Sequence, residues 1–113
     1  MDCLFCKIME GEIPSTKVYE NEMVYAFRDI EPQAPEHVII IPKVHIKSAD
    51  EITPENSKYI AAVFEAAAVI AKELGISEKG YRIVNNCGEA AGQTVHHIHF
   101  HLMGGRDFGW PAG

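Results

Sequence analysis

The chain has 113 residues, 47% of them hydrophobic, with six histidines, three cysteines and a formal net charge of −6. This length fits one domain spanning residues 1–113, and because so small a protomer buries a modest share of its surface, we expect oligomerisation. The acidic charge without a basic stripe argues against a nucleic-acid partner. The lack of an apolar run of about 18 residues argues against a membrane span. The N-terminus has no signal-peptide pattern, which predicts a cytoplasmic location, or also a nuclear one in a eukaryote.

The first half of the chain predicts a short helix followed by three strands. Apolar side chains near helical spacing predict the helix over residues 3–11. Strands are expected at Lys17–Glu20, at Met23–Asp29, where side chains alternate, and at His37–Ile41, a β-branched run. The short links between these strands predict an antiparallel meander.

The second half predicts one long helix and two more strands. Thr53 is a favourable N-cap and Gly75 a favourable C-terminal cap for an amphipathic helix of about five turns. Strands are expected at Tyr81–Asn85 and at Val95–Met103. The pattern as a whole predicts an α+β fold, an antiparallel sheet with the long helix packed on one face.

The last predicted strand carries His97, His99 and His101 at alternate positions. Because strand side chains alternate between faces, the three imidazoles project to one side and the intervening apolar residues to the other. Three interpretations are open: a solvated sheet face, a metal site, or nucleophilic catalysis by a neutral imidazole beside a second one that stabilises phosphate charge. A solvated face would normally carry Lys, Glu, Thr or Ser, so the pattern favours chemistry.

The cysteines are Cys3, Cys6 and Cys87, an odd number that argues against a disulfide framework. Cys3 and Cys6 form a C-x-x-C pair, which is typical of half a metal site or of a redox pair. No thioredoxin-like βαβ pattern surrounds the pair, which disfavours the redox interpretation. Cys87 is interpreted as a bystander thiol.

The segment His97–Met103 has the H-φ-H-φ-H-φ-φ pattern, and on it the chain resembles the histidine triad (HIT) superfamily. The resemblance is to the histidine triad nucleotide-binding (Hint) branch and extends over nearly the whole chain. It implies a HIT-like α+β fold, with a five-stranded antiparallel sheet, one long and one short helix, and a homodimer whose two sheets join into one. The other matching segments are Phe5–Ile8 with Glu12–Pro14, Ala26–Ile30 with Pro32–Pro35, His37–Ile46, Gly92–Val95, and Gly104–Arg106 with Trp110–Pro111.

The resemblance implies a hydrolase that cleaves the P–N bond of nucleoside 5′-phosphoramidates, such as AMP-NH2 and AMP-lysine, through a covalent AMP–histidine intermediate. By position, His99 would be the nucleophile, His101 would contact the α-phosphate, and His37 would orient the site. A neutral imidazole is a good nucleophile near pH 7, and covalent catalysis splits a slow cleavage into two easier steps. No Mg²⁺-type carboxylate cluster is visible, so no catalytic metal is expected. His37 could instead be a satisfied core histidine.

The substrate implied by the resemblance is a purine nucleotide, an AMP or GMP derivative. Asp29 would accept the ribose hydroxyls, and Asn86 would reach the phosphate or ribose. Gly92 precedes Gln93 and Thr94, which would hold the phosphate and the leaving group. Alternatively, Asp29 caps the end of a strand, and Gln93 and Thr94 are loop residues with no role in binding. The base pocket would be lined by Phe5, Ile8, Ile13, Phe27 and Ile30, which in most sequences would be ordinary core.

In relatives that carry the C-x-x-C pair, two histidines complete a structural zinc site. The resemblance therefore implies a zinc site formed by Cys3, Cys6, His45 and His97. A Cys₂His₂ set suits tetrahedral zinc, and the ion would tie the N-terminal helix to the sheet. His97 would then be structural, leaving two members of the triad for phosphate chemistry.

Two other functions compete with the phosphoramidase. One is a dinucleoside polyphosphate hydrolase of a sister branch, which the tail from Gly104 to Pro111 disfavours. The other is a nucleotide-binding or scaffold protein whose turnover is incidental. The same tail includes Trp110, which would pack at a dimer interface or near the site.

Overall fold

A computed structural model describes residues 3–113, and Met1 and Asp2 of the predicted domain lie outside the described residues. Five strands form one sheet in the order β1-β2-β3-β5-β4, with every neighbouring pair antiparallel. The predicted sheet with one short and one long helix is confirmed. The elements are α1 (Leu4–Met9), β1 (Lys17–Glu20), β2 (Val24–Arg28), β3 (Glu36–Pro42), α2 (Ser57–Glu73), β4 (Tyr81–Val84) and β5 (Phe100–Gly104), with 3₁₀ turns at Ala49–Glu51 and Glu89–Ala91.

The long helix α2 covers one face of the sheet, as its amphipathic pattern predicts. Its buried residues, among them Ala67 and Ile70, pack with Ile98, Phe100 and Leu102 in the larger core cluster. Burying a large aliphatic side chain stabilises the fold by roughly 1.5–3 kcal/mol, so this face supplies much of the stability. Neither helix in the described part of the chain has the length and hydropathy to traverse a bilayer.

The opposite face of the sheet is covered by α1, and this is where the histidines lie. Phe5 and Ile8 of α1 pack with Phe27 and Ile39 of the sheet in a second, smaller cluster. The helix is short because Gly11, at φ +81, takes the left-handed conformation just beyond it, as Gly does readily. The functional side chains therefore occupy the seam between α1 and the sheet.

The predicted fifth strand begins five residues too early. The structure places β5 at Phe100–Gly104, and Val95–His97 is a bend before it. The N–H of Ile98 donates to the carbonyl of Ile46 at 2.6 Å, so this stretch bonds to the turn after β3 instead of to a strand. The alternation of side chains nevertheless continues through the bend.

The long helix begins at Ser57, three residues after the predicted start. The amide oxygen of Asn56 accepts the N–H of Thr53 at 2.7 Å, and its amide nitrogen donates to the carbonyl of Glu51 at 3.1 Å. These side-chain bonds stabilise a turn in place of the first helical turn, which is how Asn competes with helix. The other end is as predicted, with Gly75 at φ +73.

Candidate active site and adjoining metal site

His97 and His99 lie just before β5, and His101 lies within it. The ring of Phe5 from α1 stands edge-on to His99, with 4.9 Å between ring centroids, and His101 follows at 5.3 Å from His99. His97 is 0% exposed and His99 is buried, which excludes a solvated sheet face. His96 is exposed and is not part of this row.

Backbone carbonyl groups fix the ring protons of two of these histidines. A carbonyl can only accept, so Nε2 of His97, 3.0 Å from the oxygen of Pro42, carries a proton. For the same reason Nδ1 of His99, 2.8 Å from the carbonyl of His97, carries one. A neutral imidazole has one proton, so His97 presents a lone pair at Nδ1 and His99 presents one at Nε2.

His37 and His101 form a pair whose protons are set by the loop before β3. The N–H of Gln33 donates to Nδ1 of His37 at 3.0 Å, so neutral His37 has its proton on Nε2. That nitrogen lies 2.8 Å from Nδ1 of His101 and 3.3 Å from Oδ2 of Asp29. Nε2–H of His37 donates to Nδ1 of His101. Because an accepting Nδ1 carries no proton, the ring proton of neutral His101 is on Nε2. The other oxygen of Asp29 accepts the N–H of Glu31 at 2.8 Å.

The distances alone would also allow Asp29, His37 and His101 to ligate a cation, because their ligand atoms lie within 4.8 Å of one another. The proton positions argue against this. A metal on Nε2 of His37 would displace the ring proton to Nδ1, where it would oppose the N–H of Gln33. The arrangement is therefore a hydrogen-bonded relay from Gln33 to His101.

Two ring nitrogens of these four histidines have no partner among residues 3–113: Nε2 of His99 and Nε2 of His101. The first offers a lone pair and the second an N–H. A lone pair thus lies beside a hydrogen-bond donor, an arrangement that suits nucleophilic attack on an anionic phosphate.

Burial keeps these imidazoles neutral. It lowers the pKa of His37 and of His99, and it lowers the pKa of His101 to about 4, with nearby His99 and His37 adding to the effect. Asp29 acts in the opposite direction on His101, because a carboxylate favours the charged ring. At neutral pH the three imidazoles are therefore uncharged.

For the hydrolase that the resemblance implies, we expect activity to persist below the pH at which a free imidazole loses its neutral form. Because the pKa values of His99 and His101 are lowered, both rings keep their neutral form until the pH falls through the lowered values. The acidic limb of kcat/KM should therefore lie below 6.5, the ordinary pKa of an imidazole. The profile is measured with metal content checked at each pH. A limb centred at 6.5 or higher would contradict the assigned protonation states.

A cavity of about 200 Å³ opens between α1 and β2, beside this row of histidines. Two of its polar side chains, Ser15 and Arg28, already have partners within the protein. The hydroxyl of Ser15 lies 3.0 Å from that of Tyr25, and Arg28 forms an ion pair with Glu36. Ile30 is 93% exposed and stands at the rim. The predicted base-pocket residues Phe5, Ile8, Ile13, Phe27 and Ile30 all line the cavity, together with Asp29.

The loop after β4 carries the remaining predicted contacts. Asn86 is half-buried, whereas Gly92 and Thr94 are exposed. Gln93 is buried, and its side-chain amide donates to the carbonyls of Lys47 at 2.9 Å and Val95 at 3.1 Å. Both amide protons are thus used within the protein. These bonds give the side chain a role in shaping the loop, and the contact of Gln93 with the phosphate or the leaving group stays a prediction.

Asn85 is a site residue that the sequence interpretation missed. Its amide nitrogen donates to the carbonyl of His99 at 2.9 Å, just where β4 has ended and β5 is about to begin. The side chain thereby replaces a ladder hydrogen bond and anchors the backbone of His99. No residue pattern signals this, because Asn85 simply ends a predicted strand.

The predicted metal ligands come together beneath the active site. Sγ of Cys3 lies 3.3 Å from Nδ1 of His97, and Sγ of Cys6 lies 3.6 Å from Nδ1 of both His97 and His45. All four donor atoms lie within 4.8 Å of one another. Nδ1 of His97 carries the lone pair that a metal needs, and its Nε2–H is held by Pro42, as is usual for ligating histidines. The donor set fits zinc.

The pKa of Cys6 disfavours a redox role for the pair of thiols. Burial, with the neighbouring Cys3, raises the pKa of the Cys6 thiol to about 11. Reactive cysteines have lowered pKa values instead, whereas a buried thiol with a high pKa ionises when a cation binds it. Cys87 is half-buried and lies outside the cluster.

Comparison with known proteins agrees with this geometry. The HIT domain family matches residues 10–108. The purine nucleoside phosphoramidase of Escherichia coli is 44% identical over 96% of this chain and 91% of that protein. A 14 kDa zinc-binding protein of Zea mays is 50% identical over 97% of this chain and 87% of that protein.

Solved structures give the same result. A HIT family hydrolase from Clostridium thermocellum has a TM-score of 0.93 and 54% identity, covering 96% of this chain and 94% of its own. A HIT family hydrolase from Legionella pneumophila has a TM-score of 0.96 and 49% identity, covering 99% of this chain and all of its own. The predicted resemblance is confirmed: the chain belongs to the HIT family.

Proposed function

We propose that the chain is a hydrolase that cleaves the P–N bond of purine nucleoside 5′-phosphoramidates. The observation that carries the proposal is the lone pair on Nε2 of His99 beside the N–H on Nε2 of His101. The phosphoramidase of Escherichia coli, at 44% identity, supports this choice of substrate class.

In the proposed reaction Nε2 of His99 attacks the α-phosphorus while Nε2–H of His101 donates to a phosphate oxygen and stabilises the charge that develops there. The P–N bond breaks, the departing nitrogen takes a proton from solvent and leaves as the neutral amine, and AMP is held as a phosphoramidate on His99. Water then attacks the same phosphorus and gives a proton back to solvent, the P–N bond to His99 breaks, and AMP is released from the neutral imidazole. The carbonyl of His97 holds the nucleophile in the reactive tautomer throughout.

The nucleotide would lie along the seam between α1 and the sheet. Its base would enter the cavity beside Phe5 and Phe27, and its ribose hydroxyls would donate to Asp29, which lines the same cavity. Asn86 and Thr94 would contact the phosphate and the leaving group. Because Asp29 also lies 3.3 Å from Nε2 of His37, ribose binding and the relay share one carboxylate.

The substrate class is tested by comparing kcat/KM for AMP-lysine, AMP-NH2 and diadenosine polyphosphates. We expect the AMP-amines to be preferred by at least about tenfold, a difference of 1.4 kcal/mol in transition-state binding. Preference for the diadenosine compounds would favour the dinucleoside polyphosphate hydrolase. Tight AMP binding with negligible turnover of every substrate would favour a scaffold.

We also propose that Cys3, Cys6, His45 and His97 hold a structural zinc ion. The four donor atoms, their spacing and the protonation of His97 support it, as does the zinc-binding relative from Zea mays. Zinc would join α1 to the turn after β3 and to the segment before β5. No step of the proposed reaction uses the metal.

A homodimer with a continuous sheet is proposed through the β4 edge. The other edge strand, β1, has a register irregularity between Lys17 and Tyr19, a feature that blunts strand edges, whereas β4 pairs regularly throughout. Trp110, 87% exposed, is available to the partner.

We expect light scattering to give twice the chain mass. Backbone amide exchange should be slower in Tyr81–Val84 than in Lys17–Glu20, because only the β4 edge would gain a neighbouring strand. A monomer, or equal protection of the two edge strands, would contradict this interface.

A further inference from the structure

Arg106, in the segment after β5, contacts the loop that sets the protons of the active site. Its Nε donates to the carbonyl of Gln33 at 3.0 Å, and its Nη1 donates to the carbonyl of Asp107 at 3.0 Å. The guanidinium lies over the ring of Phe108, 4.2 Å from the centroid. The stacking and the two hydrogen bonds hold the guanidinium in a defined orientation although Arg106 is exposed.

Gln33 is the link between this arginine and the histidines. Its carbonyl accepts from Arg106, and its N–H donates to Nδ1 of His37 at 3.0 Å. The two chain segments also touch nearby: a Cβ added at Gly105, whose φ is +92, would lie 2.9 Å from Cβ of Pro35. The segment after β5 therefore packs directly on the loop before β3.

We propose that Arg106 is a positioning residue that holds the N–H of Gln33 on His37 and thereby keeps the proton of His101 on Nε2, facing the phosphate. If the Gln33 N–H moves away, only Asp29, 3.3 Å from Nε2 of His37, still favours a proton on that nitrogen. A share of His37 then carries its proton on Nδ1, and in that share Nε2 becomes an acceptor. His101 must in that case donate from Nδ1, and its Nε2 faces the phosphate with a lone pair. An acceptor in that place repels the anion that it should stabilise.

The catalytic consequence rests on the proposed function, and the Arg106→Ala variant tests it. We expect kcat for AMP-lysine to fall by about 10- to 100-fold, as for other small displacements of a catalytic group, while KM changes little. Arg106→Lys keeps a donor and a positive charge but loses the planar stack, and it should recover part of the lost rate.

The matched control is Arg82→Ala. Arg82 also lies over Phe108, at 5.1 Å, and its Nη2 donates to the carbonyl of Gly109 at 2.9 Å, so this variant removes the same charge and a contact to the same segment. Its hydrogen bond to Gly109 does not involve the loop of Gln33. A kcat for Arg106→Ala equal to that of Arg82→Ala would overturn the proposal.

Nitrogen-15 NMR of the histidine rings gives a second readout that needs no substrate. In the wild type and in Arg82→Ala, His101 should be protonated at Nε2 and bare at Nδ1, and Arg106→Ala should lose this single tautomer. An unchanged His101 tautomer in Arg106→Ala overturns the proposal even if the rate falls. If the wild type hydrolyses no AMP-amine while the tautomer changes as expected, the proposed function fails and the role of Arg106 in setting the tautomer stands.

Discussion

His99→Ala should lower kcat for AMP-lysine by at least about 10⁴-fold, because the variant lacks the group that forms the covalent bond to phosphorus. His101 cannot substitute for it, since the Nε2 that it turns to the site carries a proton. Intact-protein mass spectrometry after rapid mixing should show an AMP adduct on the wild type, mapped to His99, and none on the variant.

His96→Ala is the matched control, because His96 is an exposed histidine in the same segment and makes none of these contacts. Its kcat should equal that of the wild type. The smaller variant His99→Gly opens space beside Phe5, so added imidazole should enter and restore release of AMP. An adduct on another residue, or full activity of His99→Ala, would refute the assignment of the nucleophile.

Removing zinc should cause a large decrease in the free energy of unfolding. Cys₂His₂ sets in isolated zinc fingers bind the ion with about 10–16 kcal/mol, and even a fraction of that is large against the roughly 5–15 kcal/mol that stabilises a domain. Chelator and Cys3→Ser should therefore both lower the midpoint of urea unfolding. Metal analysis of the purified protein should find one zinc per chain before treatment and none after.

Cys87→Ser controls for the loss of a thiol, since Cys87 lies outside the cluster. Its metal content and unfolding midpoint should not change, and chelator should affect it as it affects the wild type. Zinc-free purified protein whose unfolding midpoint is insensitive to chelator would exclude the structural ion.

The fold was predictable because its signals are local and periodic. The alternation around Phe27, the β-branched run at Ile39–Ile41 and the helical spacing up to Ile70 each specify one element, and short links specify their antiparallel order. The errors lie where a distant or side-chain contact replaces the regular pattern. Asn56 bonds to its own turn and delays α2, and Ile98 bonds to a carbonyl 52 positions earlier and delays β5.

The candidate site was predictable only as far as residue type reveals a role. The alternating pattern treats His97 and His99 alike, and only the resemblance to relatives with a C-x-x-C pair separated them. Three contacts of the site use backbone groups. Asn85 donates to the carbonyl of His99, the N–H of Gln33 donates to His37, and Arg106 donates to the carbonyl of Gln33. Backbone groups are present at every position, so such contacts leave no trace in the sequence.

The cavity between α1 and β2 bears on the range of nucleotides that such an enzyme would accept. Because Ser15 is bonded to Tyr25 and Arg28 to Glu36, the cavity would bind a flat base by shape, and recognition would depend on the sugar and the phosphate. We expect it to act as a generalist that clears adducts of adenine and guanine nucleotides alike. The same tolerance would admit fluorescent base analogues, which would then report turnover directly in a mixture.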